Sequence, residues 1–207
     1  MLVEISLQEF TQRLADGQAT PGGGSAAALA GAMGASLVSM FCKLTAGRKK
    51  YAGVKEVMEE EAGYAEEWRC RLLALVDRDS AAYEKVLAAN RLPKEKEEEK
   101  ELRRQAIAAA TLFATRTPLE TATHCAALLQ RIPPLAGKGN PNALSDLKVG
   151  MELLAAAFAG AIANVEINLP WLDDAAEAEA IRQEVLALSV QVQEAVEKGR
   201  EEISRLE

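Results

Sequence analysis

Residues 19–42 read ATPGGGSAAALAGAMGASLVSMFC, twenty-four positions without a charged side chain. The length suits a membrane span, but the composition does not. Pro21, five glycines (Gly22, Gly23, Gly24, Gly31, Gly34) and three serines stand where a span needs leucine and isoleucine. The better reading is a tightly packed central helix, entered through a Thr20-Pro21-Gly22 turn and running to about Thr45. Small residues on such a helix let neighbouring backbones approach closely, so it belongs in the middle of a bundle.

The flanking sequence supports the same class. Alanine fills 39 of 207 positions and aromatics only 4%. Alanine is the strongest helix former, and runs of β-branched residues are missing, so the expected fold is all-α, a bundle of five or six helices. Ser6 and Glu9 form an S-x-x-E capping box that opens a short helix ending near Asp16-Gly17. A long helix is expected from about Val54 to Asn90. The next begins in the charged run 94–101 and kinks at Pro118, which has no N–H for its own turn. Two more, from about Ser145 to Leu169 and from about Asp173 to Leu206, complete the bundle. The last carries an apolar stripe of Ile181, Val185, Leu188, Val192, Ala195, Ile203 and Leu206. The chain length suits a single domain, 1–207.

The net charge of −7 and a pI near 5.0 exclude a general nucleic-acid binder. No signal peptide is read at the N-terminus, and the expected setting is the cytoplasm. Cys42, Cys70 and Cys125 form no C-x-x-C pair and, with one histidine, no zinc set, so no metal is expected. They read as buried free thiols, and His124 as a structural residue.

Asp79 is the most informative side chain. At 100° per residue it shares a face with Trp68, Leu72, Leu75, Tyr83 and Val86, whereas Asp77 points to the opposite, charged side. A carboxylate in an apolar stripe is costly unless paired or protonated, and burial raises its pKa toward working pH. It is equally a candidate general acid or base and a candidate helix tie. Glu61 lies at nearly the same azimuth and shows that the stripe tolerates charge. Asp146 and Asn164 share one face of the fifth helix but stand about 27 Å apart along it. The glycine turn leaves backbone N–H groups free for a polar ligand. Lys49, Lys50, Lys94 and Lys138 flank loops where an anion can dock.

Five motifs occur in order: PGGGSAAALAGAMGASL (21–37), LTAGRKKY (44–51), DSAAY (79–83) followed by RLPK, GNPNALSD (139–146) and NVEINL (164–169). Together they resemble the formiminotransferase-cyclodeaminase C-terminal domain family, over roughly Thr20 to Leu172. That resemblance implies an all-helical homodimer acting on the one-carbon unit of a tetrahydrofolate derivative, with no tightly bound cofactor. It places the catalytic acid on Asp79. Substrate contacts fall on Gly22, Gly23, Gly24, Ser25, Asn140, Asn142, Asp146 and Asn164, with Asn168 the second asparagine of its motif; Lys49, Lys50 and Tyr51, at the end of a helix, are expected to meet the anionic glutamate tail of such a substrate. The implied reaction is cyclodeamination of 5-formiminotetrahydrofolate, with methenyltetrahydrofolate cyclohydrolysis as the alternative. A helical assembly protein without catalysis is a third reading. No formiminotransferase segment precedes these motifs, so that activity is not implied. Leu147-Lys148 departs from the small residues usual after the family's loop acid.

Overall fold

A computed structural model describes residues 1–206, and no strand occurs among them. The helices are α1 (Leu7–Ala15), α2 (Gly23–Ala46), α3 (Lys55–Asn90), α4 (Glu97–Leu129), α5 (Ile132–Ala136), α6 (Leu144–Asn168) and α7 (Ala175–Ser204). Six are substantial, and α5 is a five-residue turn. Short 3-10 turns lie at Leu2–Glu4, Lys49–Val54, Pro141–Ala143 and Leu169–Trp171.

Local chemistry sets the boundaries. The Ser6 hydroxyl accepts from the Glu9 N–H at 3.1 Å and opens α1. Asp174 accepts from the Ala176 and Glu177 N–H groups and opens α7. In the charged run, Glu99 accepts from the Glu95 and Lys96 N–H groups, so three glutamates sit at the favourable end of α4. Pro133 and Pro134 do not stop α4, which already ends at Leu129. They form the first turn of α5, where a missing N–H costs nothing. α4 continues through Pro118.

The uncharged helix α2 is the central element. It packs on α3 along one side and on α6 along the other, and α4 closes the ring between them. α7 lies across α4, α5 and α6. α2 and α6 run antiparallel, since Gly23 meets Asn164, Ala27 meets Gly160 and Gly34 meets Gly150. Their backbones touch. A methyl group on Gly34 would lie 2.8 Å from the Gly150 carbonyl oxygen and 2.7 Å from Leu154 Cγ. The absence of a side chain at Gly34 and Gly150 is what lets the two helices approach this closely.

This contact gives a stability prediction. Gly34→Ala should destabilise the fold by about 1–3 kcal/mol, because neither backbone nor buried Leu154 can yield cheaply. Gly63→Ala, in α3 with open space around it, should instead stabilise by up to about 1 kcal/mol. Urea denaturation of both variants checks the pair. Equal effects would contradict the packing.

Several expectations need correction. Cys42 and Cys125 are buried, and burial pushes both thiols up to about 12, but Cys70 is exposed. Asp77 is not merely solvated. It accepts a hydrogen bond from the Leu2 N–H and ties the N-terminal turn to α3. Leu206 lies past the end of α7 and is exposed, because the helix ends before its stripe reaches that residue.

Candidate active site

The N-terminal end of α2, the C-terminal part of α3, the middle of α4 and the C-terminal end of α6 surround a cleft of about 560 Å³. Gly22, Gly23 and Gly24 form one wall, Asp79 and Tyr83 a second, and Asn164, Asn168 and Trp171 a third. Ala82, Val86 and Ile107 supply apolar lining, with Asn90 and Thr111 as further polar groups. Tyr83 is 41% exposed and Trp171 74% exposed, two large aromatic surfaces available to a flat ligand.

Asp79 is half-buried and its carboxylate rests on the first turn of α2. The Ser25 hydroxyl lies 2.9 Å from Asp79 Oδ2, 3.0 Å from the Val76 carbonyl oxygen and 3.1 Å from the Ser80 hydroxyl. Burial pushes the Asp79 pKa up, opposed by the Ser25 hydroxyl and the Ser25 backbone N–H, which both favour the charged form. Desolvation prevails, so the group is held above the ordinary aspartate range. The carboxylate is therefore a better proton acceptor than an ordinary aspartate.

At Gly24 any side chain would displace the acid. An added Cβ would lie 2.1 Å from Asp79 Oδ1 and 2.6 Å from Cγ. The PGGGS turn thus does two things. It starts a helix, and it leaves room for the acid from α3 to sit against that helix's free N–H groups.

Ser25, expected to touch the ligand, is instead fully buried behind Asp79. It positions the acid. Glu61, the rival carboxylate on the same stripe, is paired with Arg131 at 2.8 Å and serves the fold. His124 lies buried against Trp68 with ring centroids 4.2 Å apart, and burial pushes its pKa down to about 4, which fits a structural role.

The remaining expected contacts lie elsewhere in the chain. Lys49, Lys50, Tyr51, Asn140 and Asn142 line a separate hollow of about 370 Å³ beyond the C-terminal end of α2. Asp146, in the first turn of α6, lies toward the same end. Because α2 has 24 residues, its two ends are about 36 Å apart, and one chain does not bring both groups to one ligand. Asn140 also has a folding task. Its Oδ1 accepts from the Asn142 N–H, and its own N–H donates to the Thr45 hydroxyl at 3.0 Å.

Asn90, Thr111, Ile107 and Trp171 also line the cleft, outside the motifs. Trp171 carries a sequence signal, a large aromatic just after Leu169-Pro170 at a helix end. Thr111 and Ile107 carry none, because α4 reaches the cleft only through packing against α3 and α6.

A helical bundle with one half-buried acid at a glycine-rich helix start, facing a cleft with aromatic walls, has the elements that general acid–base catalysis uses. The model of the formiminotransferase-cyclodeaminase family matches residues 6–187, and the chain belongs to that family. It is 39% identical over 187 residues to the methenyltetrahydrofolate cyclohydrolase of Methylorubrum extorquens, covering 88% of each chain. It is 34% identical over 187 residues to the rat formimidoyltransferase-cyclodeaminase, but spans only 35% of that protein's length. The crystal structure of formiminotetrahydrofolate cyclodeaminase from Thermotoga maritima superposes with a TM-score of 0.88 at 28% identity. The match covers 99% of this chain and 98% of that one.

Proposed function

We propose that the protein is an enzyme of folate one-carbon chemistry that closes the 5,10-methenyl bridge of tetrahydrofolate by cyclodeamination, in the cytoplasm. The observation that carries this reading is Asp79, a carboxyl with a raised pKa at the base of a cleft with aromatic walls. N10 of 5-formiminotetrahydrofolate attacks the carbon of the protonated formimino group, forming the C–N10 bond. Asp79 takes the N10 proton and then gives it to the exocyclic amine. The C–N bond breaks, ammonia leaves, and the positive charge is shared across N5, carbon and N10. One carboxyl serves both transfers because the two nitrogens flank one carbon.

A second reading is favoured by the end-to-end match to the Methylorubrum cyclohydrolase. Water adds to the methenyl carbon and loses a proton to Asp79. Protonated Asp79 then delivers it to N5 as that C–N bond breaks, and the hydroxyl proton left on the former water oxygen is released to solvent as the C=O of the 10-formyl product forms. The deciding experiment mixes purified protein with each folate, following methenyl absorbance and ammonia. Ammonia with rising absorbance supports cyclodeamination, falling absorbance alone supports hydrolysis, and no change with either folate overturns both.

The active assembly is proposed to be a homodimer. Met33, Met40 and Leu44 on α2, with Val149 and Ile167 on α6, are exposed apolar side chains on two adjoining helices. Positions 33, 37, 40 and 44 repeat in steps of four and three, the spacing of a helix–helix seam. About a third of the apolar window around α6 is buried within the chain, against 61% for α2. A second copy laid antiparallel on this face covers it and brings Lys49 and Lys50 of one chain toward Asp79 of the other. Lysines there suit the anionic glutamate tail. Lys49→Glu with Lys50→Glu should raise KM for a polyglutamylated folate more than for the monoglutamate, in a protein that sediments as a dimer. Equal effects, or full activity as a monomer, would remove this placement.

A further inference from the structure

Pro118 sits inside α4, and its missing N–H leaves the Ala114 carbonyl, four residues earlier, without its helical donor. That carbonyl is not left empty. Asn168 reaches across from α6 and donates to it through Nδ2 at 3.1 Å. One turn earlier on the same face, Asn164 Nδ2 donates to the Gly160 carbonyl at 2.8 Å. A backbone carbonyl only accepts, so both side chains must turn their nitrogen to the backbone. The Oδ1 atoms are then the acceptors the amides offer. Both residues line the cleft beside Asp79, and a spacing of four places their Cβ atoms about 5–6 Å apart.

We infer that Asn164 and Asn168 select substrate by accepting from an N–H-rich edge of its heterocycle, and that Pro118 is the positioning residue that fixes Asn168. The inference rests on the folate reading above. A reduced pterin carries such an edge in its 2-amino group and adjoining ring N–H. An amide pinned through its nitrogen discriminates better than a free one, because it cannot turn, and a ligand lacking the donor leaves its oxygen unpaired. Asp79 does the chemistry at the one-carbon unit, and the asparagines set which ring lies beside it.

The test uses full-length protein and two probes, 5-formyltetrahydrofolate and its 2-desamino counterpart, with affinities measured by calorimetry. Wild type should prefer the amino compound by about tenfold, the value of one good hydrogen bond. Asn168→Ala should lose that preference by weakening only the amino compound. Pro118→Ala removes no side chain that lines the cleft, yet gives residue 118 an N–H that competes for the Ala114 carbonyl. It should lower the preference with unchanged or higher thermal stability. In turnover assays both variants should raise KM and leave kcat near the wild-type value. Equal loss for both probes in Asn168→Ala overturns the selection role, and an unchanged preference in Pro118→Ala overturns the positioning role. Wild type that binds neither probe overturns the folate reading itself, and the assignment with it.

Discussion

Asp79→Asn should lower kcat by about 10²–10⁴-fold while folate affinity and helical content stay close to wild type. Asparagine keeps the shape of the side chain and can still meet the Ser25 hydroxyl, 2.9 Å from Asp79 Oδ2 in the native protein. What it removes is the proton site. The stability effect has the opposite sign from most buried substitutions. The folded-state pKa of Asp79 is raised above its unfolded value, mainly by burial. The unfolded chain therefore releases this proton at lower pH than the folded one. Charging the residue costs stability that is absent below the unfolded pKa, develops as pH rises through the folded pKa, and is fully present above it. Asparagine carries no such cost. Its Tm should equal or exceed that of wild type at neutral pH, and the difference should vanish in acid. Wild-type turnover should fall as pH drops through the raised pKa, because the proton-accepting form disappears. Near-normal turnover in the variant would take Asp79 out of the chemistry.

Gly24→Ala should be nearly as damaging, with kcat/KM down by about 10²-fold although no reacting group has been removed. The added methyl would lie 2.1 Å from Asp79 Oδ1, so the carboxylate must swing away or the start of α2 must shift. Either displaces the acid by about an ångström, and misplacement on that scale is enough for a loss of this size. Gly63→Ala is the control, since it lies outside the cleft and its methyl would meet nothing within 4 Å. It should stay within a few-fold of wild type. Combining Gly24→Ala with Asp79→Asn should cost little more than Asp79→Asn alone, because both act on the same group. Additive losses would mean that Gly24 serves something other than the acid.

The sequence by itself determined the class of fold and put Asp79 forward as the candidate acid. Helix starts at Ser6 and near Asp173, the long helix through Asn90 and the packing role of Gly34 are legible because caps, periodicity and small-residue placement are local physics. The apolar stripe holding Asp79 follows from the same arithmetic, since a helix fixes which residues share its face. Periodicity did not separate Asp79 from Glu61, which shares its stripe. That difference needs Arg131, seventy positions away, to pair one carboxylate, and the start of α2 to receive the other. Nor does a motif show which of its residues meet. The glycine turn and the Lys49-Lys50 segment are close in sequence, but 24 helical residues hold them at opposite ends of α2. Asp146 and Asn164 are likewise parted by the length of α6. Conversely, Pro118 and Asn168 are fifty residues apart and serve one carbonyl. Such pairings are decided by how α2, α3, α4 and α6 pack around one another. Burial, and the pKa shift it brings, exists only once that packing has removed water from the acid.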